Sequence, residues 1–153
     1  MNNHQGERTL YKIVNQFSKT LKMFNLSTSD ARLFAFLYFN KTPLTLDEMS
    51  DALGKSKTSV NTSARNLVDA NLANRVWRKG IRKDLYQANP DLFQSLMDAS
   101  VSRWINFTAE QRDSLEELRK SLQNNEADKS LDTPLQRIIE FHHDIEDSFQ
   151  KLK

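Results

Sequence analysis

The sequence predicts a mainly α-helical fold with one small β-hairpin. The chain has three glycines and three prolines among 153 residues, about a third of the average frequency of these residues. Folds made of many short strands need a turn breaker about every 8–12 residues, so this low content argues against them. Apolar residues recur at three- and four-residue steps along most of the chain, which is the period of an α-helix. The period falls to two only on either side of Gly80, which is typical of a β-hairpin.

The composition excludes several classes of protein. Hydrophobic residues make up 38% of the chain, which is enough to form a core. No apolar run is long enough to cross a bilayer, and the first ten residues contain no apolar signal segment, so we expect a cytoplasmic protein. The chain has no cysteine, which excludes a disulfide scaffold and thiol chemistry.

The charge is unevenly distributed along the chain. Residues 1–89 contain 14 Lys/Arg and 7 Asp/Glu, whereas residues 90–153 contain 8 Lys/Arg and 13 Asp/Glu. A polyanion is therefore attracted to the first part and repelled by the second. The densest basic stretch, Arg75–Lys83, has five cations in nine residues and no acid.

Two helices are predicted before Pro43. The first carries one apolar stripe, formed by Leu10, Ile13, Val14, Phe17, Leu21 and Phe24. A residue among Thr28, Ser29 and Asp30 is predicted to cap the second, which runs to Asn40. Apolar side chains surround this second helix almost completely, so we expect it to be buried between neighbours.

Two shorter helices follow, separated by a three-residue turn. Thr45 and Glu48 have the spacing of a capping box at the start of a helix, and Gly54 is expected to end that helix in a left-handed turn. Ser56 is predicted to cap the next helix, which runs to about Asn71. Its inward positions are Val60, Ala64, Leu67 and Val68. This order of elements is a helix-turn-helix.

Residues 72–78 and 81–88 are predicted to form the two strands of the hairpin. A hairpin directly after a helix-turn-helix is the wing of a winged helix. Trp77 and Tyr86 are expected to cover the small core rather than to stack on bases.

The rest of the chain is predicted to be helical. One helix carries the apolar stripe from Leu92 to Ile105, and Thr108 is predicted to start another, with Gln111 at capping-box spacing. Residues 124–132 are expected to form a loop. Thr133 and Pro134 are predicted to start the last helix.

The last helix has a heptad pattern, which is typical of a helix packed along another helix. The pattern consists of Leu135, Ile138, His142, Ile145, Phe149 and Leu152. We expect the two ends of the chain to pair two copies, so the predicted organisation is an N-terminal dimerisation helix (1–27), a winged helix-turn-helix (28–89) and a C-terminal helical dimerisation region (90–153). Such a homodimer reads a pseudo-palindromic operator.

Double-stranded DNA is the expected partner, because the second helix of a helix-turn-helix enters the major groove. The cations there neutralise phosphates, and the hydroxyl and amide groups bind base edges or phosphates. The predicted DNA-contacting residues are Lys55, Ser56, Lys57, Thr58, Ser59, Thr62, Ser63, Arg65, Asn66, Arg78, Lys79, Arg82 and Lys83. The alternative interpretation is an ordinary solvated surface.

Three segments resemble the GbsR-type branch of the MarR superfamily, the family of glycine-betaine-synthesis repressors. They are Leu46–Lys57, Ala64–Leu67 and Arg75–Tyr86, of which the last is the most distinctive. The resemblance covers about residues 30–90, with Leu85 where relatives often carry tyrosine. It implies a homodimeric transcriptional regulator, a repressor of genes for osmoprotectant uptake or synthesis, and in some members a response to choline-like effectors.

No cofactor or metal is expected. A small-molecule effector such as choline is the expected ligand. Quaternary ammonium ions are held by aromatic cages, and the candidate residues are Tyr11, Phe36, Tyr38, Phe39, Trp104 and Phe107. Core packing is the alternative role of these aromatic side chains.

His142 and His143 point about 100° apart on a helix and cannot chelate one metal, so His142 is interpreted as a polar residue of the heptad pattern. An intersubunit site using His143 with Glu146 or Asp147 is the weaker alternative.

No catalytic motif stands out, so no enzymatic activity is expected. Two other functions remain open besides the regulator. One is a winged-helix module that binds a protein, and the other is a nucleoid-type protein that binds DNA without sequence preference.

Overall fold

The computed structural model describes residues 3–122 and 126–153, and it confirms the predicted fold class. The elements in chain order are α1 (Asn3–Met23), α2 (Thr28–Phe39), β1 (Leu44–Thr45), α3 (Leu46–Leu53), α4 (Lys57–Asp69), β2 (Ala73–Val76), β3 (Leu85–Ala88), α5 (Leu92–Leu122), a 3-10 turn (Glu126–Leu131) and α6 (Asp132–Gln150). The chain divides into two compact units, with the boundary after Leu96. This division differs from the three predicted segments, because α1 packs against α2 within the first unit.

Helix α2 occupies the centre of the first unit. Its buried residues are Ala31, Leu33, Phe34, Ala35 and Leu37. Because apolar side chains surround this helix, it packs against both α1 and α4. The expected burial does not extend to the last turn, where Tyr38 and Phe39 are exposed.

Hydrogen bonds at the predicted caps define the helix-turn-helix. The Glu48 backbone N–H donates to Thr45 Oγ1 at 3.1 Å, and the Thr45 N–H donates to Glu48 Oε1 at 3.2 Å, which completes the capping box. Gly54 ends α3 with φ of 63°. Ser56 caps α4 by accepting from the Ser59 N–H at 3.1 Å. These three caps confirm the predicted start and end points.

The hairpin is part of a three-stranded antiparallel sheet with the order β1-β3-β2. Strand β1, which pairs Leu44 with Tyr86, was not predicted because two residues are too few to show an alternating pattern. Tyr86 is buried as expected. The expectation for Trp77 is wrong: its side chain is 79% exposed, because β2 ends at Val76 and no strand covers the residue that follows.

The predicted cap of α2 is wrong by one residue. Ser27 caps this helix, and its Oγ accepts from the Asp30 N–H at 3.1 Å. Helix α2 also ends one residue earlier than predicted, since Asn40 has an extended backbone.

The predicted helix start at Thr108 is also wrong, because α5 runs through this position without a break. Inside the helix, Thr108 Oγ1 donates to the Trp104 carbonyl at 2.7 Å. This bond satisfies the hydroxyl group locally, so a threonine that resembles a cap in sequence is accommodated in the middle of a helix.

The last helix begins earlier than predicted. Asp132 is its first residue, and Leu131 occupies the cap position without a side-chain hydrogen bond. Within the predicted loop 124–132, residues 124 and 125 lie outside the described residues, and 126–131 form the 3-10 turn. The Arg119 guanidinium binds the Asp132 carboxylate at 2.9 Å and thereby holds the first turn of α6 against α5.

The heptad residues of α6 do not all face the same neighbour. Ile138 is 47% exposed and Leu152 is exposed as well, whereas Ile139, which the pattern did not include, is buried. Phe149 packs against Trp104 with ring centroids 5.3 Å apart. Ile138 and Phe141 leave an apolar face on α6 open to solvent, and the exposed Leu152 follows just after the helix ends.

None of the helices in the described ranges combines the length and apolarity that crossing a bilayer requires.

Gly54 and Gly6 offer a matched test of the turn. A Cβ at either position meets no atom within 4 Å, but only Gly54 of the two has a positive φ. We expect Gly54→Ala to lower the free energy of unfolding by about 1–2 kcal/mol, the cost of a left-handed backbone with a side chain. Gly6→Ala, within α1, is expected to stabilise by up to about 1 kcal/mol. Urea unfolding followed by circular dichroism measures both, and equal effects at the two positions would contradict the role of Gly54.

Candidate nucleic-acid interface

Helix α4 presents a polar face to solvent and an apolar face to the first unit. The buried side consists of Val60, Ser63, Ala64 and Leu67. The exposed residues at its start and along its outer side are Lys55, Ser56, Lys57, Thr58, Thr62, Arg65 and Asn66, and Ser59 is half-buried. Ser63 was predicted to contact DNA, but its side chain is only 5% exposed, so the structure removes it from this surface.

Some of the side chains that were predicted to contact DNA already have hydrogen-bond partners within the protein. The Asn66 side-chain amide donates to Asp30 Oδ2 in α2 at 3.2 Å. Thr62 Oγ1 donates to the Thr58 carbonyl at 3.1 Å, which leaves its lone pairs free to accept. Arg65 has no side-chain partner in the described ranges, so its five N–H donors are available to a ligand.

The wing places further cations in the loop between β2 and β3. Arg78, Lys79 and Arg82 are exposed, and the Ile81 N–H donates to the Arg78 carbonyl at 3.1 Å to close the turn. The exposed Trp77 lies beside them. An aromatic ring among cations provides both charge and stacking area, and both are used in binding nucleic acids.

Arg75, the first cation of the basic stretch, has a different role. Its guanidinium lies over the Tyr86 ring, 5.9 Å from the centroid. This cation–π contact joins the two strands of the wing.

Asp47 connects α3 with both α4 and the wing. Its carboxylate accepts from Lys57 Nζ at 3.1 Å and from Lys83 Nζ at 2.9 Å. These two lysines were predicted to contact DNA, and the structure gives each of them an internal counter-ion. The bridge holds the start of α4 and the end of the wing loop together on one face of the first unit.

These bonds shift the ionisation of the groups that form them. Hydrogen bonds from Lys83 and then from Lys57 lower the pKa of Asp47 from its ordinary 3.8. The hydrogen bond to Asp47 raises the pKa of Lys83 from its ordinary 10.5. The Asp47 contribution to stability is present above the ordinary value and is lost as pH falls through the lowered one. The Lys83 contribution is present below 10.5 and is lost as pH rises through the raised value, so the bridge persists across the neutral range.

The six candidate effector residues lie in both units. Tyr38 and Phe39 make an edge-to-face contact in the first unit, with centroids 5.9 Å apart, and the Tyr11 hydroxyl donates to the Ala52 carbonyl. Phe36 is half-buried in α2. In the second unit, Trp104 is half-buried and Phe107 is exposed; they are separate in sequence from the other four residues.

His143, the histidine of the weaker metal hypothesis, lies near two acids of the second unit. His143 Nε2 lies 3.6 Å from Glu116 and its Nδ1 lies 4.0 Å from Glu146. Within residues 3–122 and 126–153, no three acidic, histidine or cysteine side chains are arranged to hold a metal ion. His142 Nδ1 lies 2.7 Å from the Ile138 carbonyl of its own helix.

Two residues of this surface were missed by the sequence analysis. Asp47 lies 36 positions from Lys83, and no local pattern relates them. Trp77 was assigned to the core because large aromatic residues are usually buried, and the end of β2 is what exposes it.

No protein-family model matches the chain. Among curated proteins of Bacillus subtilis (strain 168), the chain is similar to the HTH-type transcriptional repressor OpcR, with 29% identity over 110 residues, 72% of this chain and 60% of that protein. It is 33% identical to the protein YvaV over 91 residues, covering 60% and 51% of the two chains. It is 25% identical to the HTH-type transcriptional repressor GbsR over 142 residues, covering 89% and 76%. The chain therefore spans only half to three fifths of the length of the first two relatives.

A solved structure has the same fold. The crystal structure of a transcriptional regulator matches with a TM-score of 0.68 over 94% of both chains, at 18% sequence identity. This likeness shows the fold alone.

The variant Asp47→Asn tests whether the bridge restrains the basic surface. Removing the carboxylate frees Lys57 and Lys83 to neutralise phosphates, so we expect severalfold tighter binding to duplex DNA at low salt. The slope of log K against log salt should steepen by up to about 0.9 for each lysine that gains a phosphate. A fluorescence anisotropy titration over a range of salt concentrations measures both quantities.

Asp51→Asn is the control, because Asp51 is an exposed acid of the same helix with no ion pair in the described ranges. It loses the same charge without freeing a lysine. Equal effects of the two variants would show that net charge, and not the bridge, sets the affinity.

Proposed function

We propose that this chain is a DNA-binding transcriptional regulator that binds duplex DNA with α4 and the wing. The observation that carries the proposal is the shared face on which Asp47 holds Lys57 of α4 and Lys83 of the wing. Thr58, Thr62 and Arg65 project from the outer side of the same helix, where side chains of a recognition helix meet base edges. The names of two of the relatives, OpcR and GbsR, as HTH-type repressors support this proposal.

We propose further that two copies act together. The exposed apolar face of α6, formed by Ile138 and Phe141, is suited to a helix of a second copy, since apolar helix faces associate in water. Two α4 helices one turn of DNA apart would read two half-sites of a pseudo-palindrome.

The regulated genes are proposed to be those of osmoprotectant uptake or synthesis, with the protein acting as their repressor. The support is the wing sequence Arg75–Tyr86, which resembles the glycine-betaine-synthesis repressors, together with the match to the repressor GbsR. The protein is proposed to act by binding, and not by catalysis.

The effector is proposed to be a quaternary ammonium compound such as choline. The exposed rings of Tyr38 and Phe39 support this, because two rings at 87° to each other can form adjoining walls of an aromatic cage.

A competition experiment tests the regulator proposal. A labelled duplex from upstream of the protein's own coding region is bound at physiological salt and challenged with random duplex. We expect binding that resists this competitor, with two chains on each duplex. Competition by random duplex at equal concentration would favour a nucleoid-type protein, and no binding to either duplex would favour a protein-interaction module.

In the same assay, matched variants distinguish sequence-specific base contacts from contacts with the phosphates. Arg78→Ala with Arg82→Ala should weaken binding to both duplexes alike and lower the salt slope by about 0.9 for each lost phosphate contact. Arg65→Ala should reduce mainly the preference for the upstream duplex, because base contacts carry sequence information. Lys120→Ala, in the second unit, is the control. Unchanged affinity and slope in the Arg78 and Arg82 variant would rule out the wing as a DNA contact.

Calorimetric titration with choline and with glycine betaine tests the effector proposal. Binding heat, together with release of the upstream duplex, is expected for the unaltered protein. Phe39→Leu should lose the heat, whereas Phe93→Leu, an exposed aromatic residue outside the candidate set, should keep it. No heat with either ligand and no effect on DNA binding would exclude the proposed effectors.

A further inference from the structure

A second polar site lies in the first unit, beside the outer face of α4. It is a small cleft of about 50 Å³ between the start of α2, the end of α3 and the start of α4. Its polar lining consists of Thr28, Ser29, Arg32, Lys55, Ser59 and Ser63. Buried apolar side chains of the same three helices form the rest of the lining.

The lining has an uncompensated positive charge. Arg32 and Lys55 contribute two cations, and no carboxylate is among the lining residues that the structure describes. The acid closest in sequence, Asp30, accepts a hydrogen bond from Asn66 instead. The lining hydroxyls can donate to an anion as well. A cation is therefore excluded as the ligand of this cleft, and a purely apolar molecule would leave the charges unpaired.

Arg32 lacks a partner that its position requires. Its Nε atom is shielded from solvent and has no hydrogen-bond partner in the described part of the chain. Buried polar atoms nearly always have such a partner, so each exception calls for an explanation. A bound oxyanion would explain the missing partner, because guanidinium N–H groups form paired hydrogen bonds with the oxygens of carboxylates and phosphates.

The helices add to this preference. Helices α2 and α4 both begin beside the cleft, capped by Ser27 and Ser56. The first N–H groups of a helix have no partner within it, and the helix dipole favours negative charge at this end. Both effects reinforce the attraction that Arg32 and Lys55 exert.

We propose that this cleft binds a phosphate-class oxyanion through Arg32, with Lys55 and the Ser59 hydroxyl as further ligands. The anion has two possible sources: a backbone phosphate of bound DNA, or a free phosphate-like anion. The first rests on the proposed function, since Lys55 and Ser59 adjoin the exposed face of α4. The second is independent of it.

Free anion binding is tested on the whole chain without DNA. Thermal unfolding is followed in sodium phosphate and in sodium chloride of equal ionic strength. We expect phosphate to raise the midpoint of the unaltered protein and of Arg8→Gln, an exposed arginine of α1 that does not line the cleft, but not that of Arg32→Gln. A rise of the same size in Arg32→Gln, or no rise in the unaltered protein, would overturn the proposal.

DNA binding by the same variants distinguishes the two sources. If Arg32→Gln loses the response to phosphate and also lowers the salt slope of duplex binding by about 0.9, the cleft takes a backbone phosphate. If the phosphate response is lost and the slope is unchanged, the cleft takes a free anion. If the unaltered protein binds no duplex, the proposed function is refuted. The unfolding midpoints in phosphate and chloride then decide alone whether the cleft binds an oxyanion.

Two further variants guard against a folding defect in Arg32→Gln. Arg32→Lys keeps the charge and should restore part of the phosphate response. Ser59→Ala removes one proposed ligand from a half-buried position and should weaken the response without changing the unfolding midpoint in chloride. A full phosphate response in Ser59→Ala together with none in Arg32→Lys would contradict the proposed set of ligands.

Discussion

The burial of α2 between α1 and α4 is the constraint on which the rest of the first unit depends. Apart from Arg32, its side chains from Ala31 to Leu37 are apolar, so the helix can be stable only with neighbours around it. Helix α4 covers one of these sides with Val60, Ala64 and Leu67. Its opposite, polar side must then face solvent, which is how a packing requirement produces a surface able to bind a ligand.

Electrostatics determines what that surface can bind. Lysines of α4 and of the wing converge on one carboxylate, Asp47, although they are far apart in sequence. A single acid between two cations keeps them in place and leaves the surface positive. The wing adds Arg78, Lys79 and Arg82, and the cleft beside α4 adds Arg32 and Lys55. All of these charges belong to one unit, as the uneven distribution of charge along the chain suggests.

Features encoded by neighbouring residues could be predicted from the sequence. The capping box of Thr45 and Glu48 and the left-handed Gly54 depend on bonds within a few positions, and both are found as expected. The start of α6 at Asp132 was missed because Thr133 and Pro134 imitate a cap, while the preceding 3-10 turn leads directly into the helix.

Features that depend on distant contacts could not be predicted. The ion pairs of Asp47 join positions far apart in the chain. The exposure of Trp77 depends on where β2 ends, and the burial of Ile139 depends on its position opposite α5. Ser63 was assigned to the DNA-contacting face from its polarity alone, whereas the packing of α4 turns it inward.

Lysine footprinting by mass spectrometry tests most directly whether α4 and the wing form one DNA-binding face. The protein is acetylated with and without saturating duplex, and the reactivity of each amine is compared. We expect duplex to protect Lys55, Lys57, Lys79 and Lys83, while Lys120, Lys129, Lys151 and Lys153 of the second unit react as before. Protection confined to the second unit, or unchanged reactivity of the first four lysines at saturation, would contradict this expectation.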